Sequence, residues 1–315
     1  MRFNPKARLD TRRMGDSGRG RGSRGGGGMR GGAGARRPLP RGVRGGGIGG
    51  AVVILLVVAV TQFLDGSGTT NESSLDASRM SDTGRYAGCE TGADANESAD
   101  CARVAVENSL FDYWSSTFEE QTGVRFEAQR RLQTFSGAIT TGCGEASSDV
   151  GPFYCPADSS IYLDTTFFAA VLERQLDGPS GAFVEPYVLA HEYGHHLQNL
   201  LGTMGRVRTQ QGPRSDSVRL ELQADCYAGM WAGSATTTDD ATGEPLFESL
   251  TDQDIQEAIA AATAVGDDRI QEKTGGRVNP EQWSHGSSTS RVKWFMVGLE
   301  QGSTQACDTF ATDDL

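Results

Sequence analysis

Residues 188–202 read VLAHEYGHHLQNLLG, and the rest of the chain is best understood from this stretch outward. Val188, Leu189, Ala190 and Leu197 give it apolar flanks, and Gly202 stops it, so the pattern predicts a helix from Phe183 to Leu201. His191 and His195 are four residues apart. On a helix both imidazoles then lie on one face, one turn apart, where they can share a metal ion. Glu192 sits beside His191 and cannot easily reach the same ion. It can reach a metal-activated water and act as general base. His196 points elsewhere on the helix and is expected to be structural. The plainer reading, two surface histidines on a helix, leaves both Glu192 and the apolar flanks unexplained.

A catalytic zinc needs a third protein ligand and one open position. Residues 219–232, RLELQADCYAGMWA, offer Glu221 and Asp225 on one face of a second amphipathic helix. Glu221 is the expected third ligand. Asp225 is expected to accept the free ring N–H of a metal-bound histidine and so fix its tautomer. A solvated charged face is the usual fate of such residues. Leu220, Leu222, Ala224, Tyr227, Ala228 and Trp231 argue for burial instead, and two buried carboxylates need a cation. The remaining histidine, His285, stands in a Gly/Ser loop before a final helix, in QWSHGSSTSRVKWF (282–295). That placement suits a donor to the oxyanion of a tetrahedral intermediate. Arg291, further along, is read as structural.

Charge is unevenly spread over the 315 residues. The chain has a net charge of −12, yet thirteen of its 29 Lys and Arg and seventeen of its 42 glycines fall in residues 1–50. A basic, glycine-rich arm therefore precedes a strongly acidic body, which argues against a nucleic-acid partner. Residues 48–64, IGGAVVILLVVAVTQFL, carry no charge and are near the shortest length that spans a hydrocarbon core. With arginines before and Asp65 after, they predict an uncleaved transmembrane helix. A cleaved signal peptide is the competing reading. The expected organisation is a disordered cytoplasmic arm at 1–47, the anchor at 48–64, a polar linker at 65–82 and a catalytic domain at 83–315. The protein would then be a single-pass membrane protein with a cytoplasmic N-terminus and an extracytoplasmic domain. Six cysteines suit disulfides in an oxidising compartment. Cys143 with Cys155 and Cys89 with Cys101 are close pairs, which leaves Cys226 for Cys307. No C-x-x-C supports a zinc cluster instead.

The body reads as mostly helical with a few short strands. Helices are expected over 101–114, 165–176, about 215–232, from a Thr251/Asp254 capping box onward, and 288–300. Strands are expected at 124–135 and 161–163.

The opening MRFNPKARLD, the block TGCGEASSDVGPFYCPADSSIYLD, and the segments LAHEYGHHLQNLLG, RLELQADCYAGMWA and HGSSTSRVKWF together resemble the bacterial "putative neutral zinc metallopeptidase" family. The resemblance covers the first residues and essentially all of 85–315. It implies an α+β, mainly helical, zincin-like domain after one membrane helix, with a gluzincin-like site. It implies His191, His195 and Glu221 as ligands of one zinc per chain, Glu192 as base and Asp225 behind the ligands. The long Gly/Arg arm departs from the family pattern. The expected activity is hydrolysis of a peptide or protein substrate. The alternatives are a non-catalytic zinc-containing, membrane-anchored binding protein and a zinc amidase acting on the cell wall.

Overall fold

A computed structural model describes residues 1–19 and 83–315. In chain order the elements are β1 (Arg2–Phe3), β2 (Met14–Arg19), α1 (Gly92–Glu97), α2 (Ala99–Thr122), β3 (Arg131–Ser136), β4 (Ala138–Thr141), β5 (Gly144–Ser147), β6 (Phe153–Cys155) and β7 (Ser160–Asp164). A π-helical turn at Phe168–Glu173 follows, then α3 (Val184–Leu200), α4 (Asp216–Ser234), β8 (Phe247–Ser249), α5 (Asp252–Ala264), α6 (Asp267–Gly275) and α7 (Ser288–Gln301). The fold is α+β.

Local chemistry sets most of these ends. Ser215 and Ser287 cap α4 and α7 by accepting the backbone N–H three residues on. Thr251 and Asp254 form the expected capping box of α5. Glycines 123 and 302, both left-handed, end α2 and α7. Other expectations need correction. The segment 124–135 is a strand only from Arg131. Phe126 instead turns its ring onto Phe111 and Phe118 of α2, each about 6 Å away. The predicted helix at 101–114 continues to Thr122. The predicted α-helix at 165–176 is a π-helical turn.

The main sheet has the order β2–β3–β7–β6. The first three strands run parallel, and β6 is an antiparallel edge strand. Helix α3 packs against β6, β7 and α4. Its contact with α4 is close at Gly194, where a Cβ would lie 2.9 Å from the Ala224 Cα. That glycine lies inside the HEYGH motif, so the approach of α4 brings Glu221 and Asp225 opposite the histidines. Helices α4 and α7 meet as closely: a Cβ on Gly298 would lie 1.8 Å from the Cys226 carbonyl oxygen.

Three disulfides join Cys89–Cys101, Cys143–Cys155 and Cys226–Cys307, and no cysteine is free. These are the expected pairs, and they leave no thiolate for a zinc cluster.

The membrane expectation is corrected. Among the described residues no helix is long and apolar enough to cross a membrane. The anchor placed at 48–64 and the linker at 65–82 lie outside the described residues. The first nineteen residues belong to the body and are not part of a separate arm. Phe3 pairs with Phe247 of β8, and Met14–Asp16 pair with Leu132–Thr134 of β3. Arg13 also donates to the buried Glu107 at 2.6 Å. A chain whose residues 2–19 pair with strands of 83–315 has both parts on one side. The single-pass topology, with a cytoplasmic N-terminus and an extracytoplasmic domain, is therefore withdrawn.

Candidate metal centre

Helix α3 presents His191 and His195 toward Glu221 of α4. The three side chains each offer a ligand atom within 4.8 Å of the others. His191 Nε2 lies 3.2 Å from Glu221 Oε2, and His195 Nε2 lies 3.5 Å from Glu221 Oε1. Ligands placed tetrahedrally about 2.0–2.1 Å from a zinc ion would stand roughly 3.3 Å apart, so the donor set fits that ion. All three side chains are nearly buried.

The back of each histidine is held. Asp225, fully buried, places Oδ1 2.8 Å from His191 Nδ1. The same oxygen accepts the Tyr187 hydroxyl at 2.6 Å, and Arg291 donates to both carboxylate oxygens at 2.9 and 3.0 Å. Asp225 thus stands behind His191, where the sequence placed it. Behind His195 stands a residue the sequence reading missed: Gln198, whose Oε1 is 2.9 Å from Nδ1. Its position three residues on, along the same face, was the available signal. His196 makes the structural contacts expected of it, to the Glu127 carbonyl at 2.7 Å and the Tyr154 hydroxyl at 3.1 Å.

Electrostatics separate the roles. Burial pushes the Glu192 carboxyl up to about 7, with His191 opposing and Glu221 adding to the rise. Burial pulls His195 down to about 4, only partly offset by Glu221. For His191 burial acts downward, yet Asp225 and then Glu221 outweigh it and raise the imidazole to about 10. Glu221 is held low despite its burial, by His195 first and His191 after it. Glu221 therefore stays a carboxylate and His195 stays neutral, the forms in which each can offer a lone pair to a metal ion.

Glu192 is not among the three clustered donors. The backbone of Tyr154 in β6 hydrogen-bonds its carboxylate, and it faces the same cleft. That cleft, of about 150 Å³, has apolar walls that include Phe153, Phe167, Val171, Leu176, Val188 and Ile270. His285 lines it too. Its Nδ1 lies 3.3 Å from Asp267 Oδ1, and the other Asp267 oxygen accepts the backbone N–H groups of Ser284, His285 and Gly286. Asp267, far from His285 in sequence, gave no local signal. Arg291 lines the cleft as well and is tied to Asp225, so its structural role serves the site.

The sequence model of the family described as "Putative neutral zinc metallopeptidase" matches residues 8–310, and the chain belongs to that family. The chain is 52% identical over 229 residues to the uncharacterized protein Rv2575 of Mycobacterium tuberculosis, covering 72% of this chain and 76% of that protein. It is 40% identical over 205 residues to the uncharacterized protein YpfJ of Escherichia coli K12, covering 63% of this chain and 67% of the relative. No solved structure matches.

Proposed function

From that family membership we propose that this chain is a zinc-dependent peptidase working through His191, His195, Glu221 and Glu192. The observation that carries the reading is one buried cluster of two imidazoles and a carboxylate, with a second carboxyl group, that of Glu192, beside it that is not one of the donors. A zinc ion bound there supplies Lewis acidity to a water and to a carbonyl oxygen. Glu192 takes the proton of the attacking water and returns it to the leaving amine. Burial raises the Glu192 carboxyl above the ordinary carboxylate range, which makes it a better acceptor of a water proton. His285, oriented by Asp267, donates to the oxygen on which negative charge develops. Asp225 keeps His191 in the tautomer whose Nε2 faces the ion. An extended peptide can lie along the edge strand β6, with an apolar side chain among Phe167, Val171 and Val188.

The test is metal analysis and hydrolysis of an unstructured protein such as casein, by the wild-type chain and by Glu192→Gln. One zinc per chain in both, with hydrolysis only in the wild type and blocked by a chelator, is the expected result. Zinc without any hydrolysis in the wild type would favour a binding protein. Cleavage of cell-wall amides but not of peptides would favour the amidase. Full activity in Glu192→Gln would refute the assignment of the base.

A further inference from the structure

The outer nitrogen of His195 is the start of a chain of hydrogen bonds that runs to the C-terminal tail. Gln198 Oε1 faces His195 Nδ1, while Gln198 Nε2 donates to the Leu220 carbonyl at 2.6 Å and to Gln223 Oε1 at 3.1 Å. Gln223 Nε2 donates in turn to the Cys307 carbonyl at 3.2 Å. Both glutamines are buried.

The two ends of this chain fix its direction. A backbone carbonyl only accepts, so Gln223 must turn its NH₂ toward Cys307 and its oxygen toward Gln198. Gln198 must then offer its NH₂ to Gln223 and to Leu220, which leaves its oxygen for His195. An amide oxygen also only accepts, so His195 must carry its proton on Nδ1. Nε2 keeps its lone pair and faces Glu221. Reversing either amide would set oxygen against oxygen, or NH₂ against NH, inside the core.

The tail that anchors this chain is itself fastened to α4. Cys307 is bonded to Cys226, one residue from Asp225. Arg219, two residues before Glu221, donates to the Thr309 carbonyl at 2.6 Å and to Asp313 at 2.8 Å. Thr309 Oγ1 donates back to the Arg219 carbonyl at 2.6 Å.

We propose that Gln198 and Gln223 are positioning residues that transmit the placement of the C-terminal tail to His195, fixing the nitrogen it offers to the metal. This rests on the zinc reading above. The experiment measures zinc affinity of the full chain by competition with a chromophoric chelator, with zinc as the only ligand. Gln198→Met keeps the length of the side chain and removes its acceptor, and should weaken zinc by about 10–100-fold. Gln223→Met should weaken it less, and so should joint replacement of Cys226 and Cys307 by serine. Gln129→Met, a buried glutamine bonded to Glu107 and to neither His191 nor His195, should lower thermal stability and leave zinc affinity unchanged. Long-range ¹H–¹⁵N correlation on the zinc-loaded wild type should show the His195 proton on Nδ1, a readout that needs no variant to fold. Unchanged affinity in Gln198→Met, equal weakening in Gln129→Met, or a proton on Nε2 would each overturn the proposal. A wild type that takes up no zinc would instead refute the metal reading beneath it.

Discussion

Arg291→Leu tests whether the polar network behind His191 stabilises the fold or merely occupies it. Arg291 is 4% exposed and Asp225 is fully buried, and two of the guanidinium nitrogens engage both carboxylate oxygens. Removing one partner of such a buried pair costs about 3–5 kcal/mol, because the other charge stays behind without its counterion. Leucine preserves much of the apolar stem, and Asp225 Oδ1 keeps Tyr187 and His191. Oδ2 loses Arg291 Nε, its partner at 2.9 Å. The lower end of the range is therefore expected, about 3 kcal/mol. For a domain of this size that corresponds to roughly 6–12 °C in Tm. Arg291→Lys should fall between, since an ammonium keeps the charge but not the fork. Urea unfolding of the disulfide-intact protein measures the change. Adding Asp225→Leu to Arg291→Leu should cost less than the two single losses summed, because the orphaned charge disappears. A single-variant loss under about 1 kcal/mol, or strict additivity in the double variant, would refute the reasoning.

Three further outcomes can be checked on the same material. Gly298→Ala should destabilise by more than about 2 kcal/mol by overpacking, since its new methyl meets the Cys226 carbonyl and α4 must move away from α7; wild-type stability would contradict the packing described. Burial and the neighbouring Asp240 hold the Asp112 carboxyl at about 7, above its unfolded value, so the folded state binds that proton more tightly and stability falls as pH rises from about 4 to about 7. Asp112→Asn should then stabilise by about 1–2 kcal/mol at pH 8, after discounting for partial exposure, and by nothing at pH 4; an equal effect at both would exclude the titration. Replacing Cys226 and Cys307 by serine should cost more than replacing Cys143 and Cys155, about 4.5 against about 3 kcal/mol, because their loops span 81 and 12 residues; the reverse order in denaturant midpoints would argue against the loop-entropy account.

What the sequence revealed was local. Helix α3 could be read because its histidines, its glutamate and its apolar positions repeat at one period over a few turns. Glu221 and Asp225 followed from the same period on α4. Asp267 could not be read, since nothing near it in sequence tells that it supports a histidine eighteen residues later. The N-terminal strands were hidden for another reason. MGDSGR has no apolar alternation, and it holds its place through the ladder with β3, the single buried apolar side chain of Met14 and the Asp16 carboxylate bonded to Thr134. Val124 and Phe126 alternate as in a strand, yet the Phe126 ring is drawn onto α2. Tertiary packing overrode the local pattern there.

The backbone leaves the described fold after Arg19 and returns at Thr83, and these two points are neighbours: the Thr83 N–H donates to the Asp16 carbonyl at 3.1 Å. The Thr83 hydroxyl also donates to the Asp16 carboxylate at 2.5 Å. Asp16 is therefore clasped from two directions, by the ladder with β3 and by the chain that resumes at Thr83, and β2 holds its place at the sheet without an apolar face of its own.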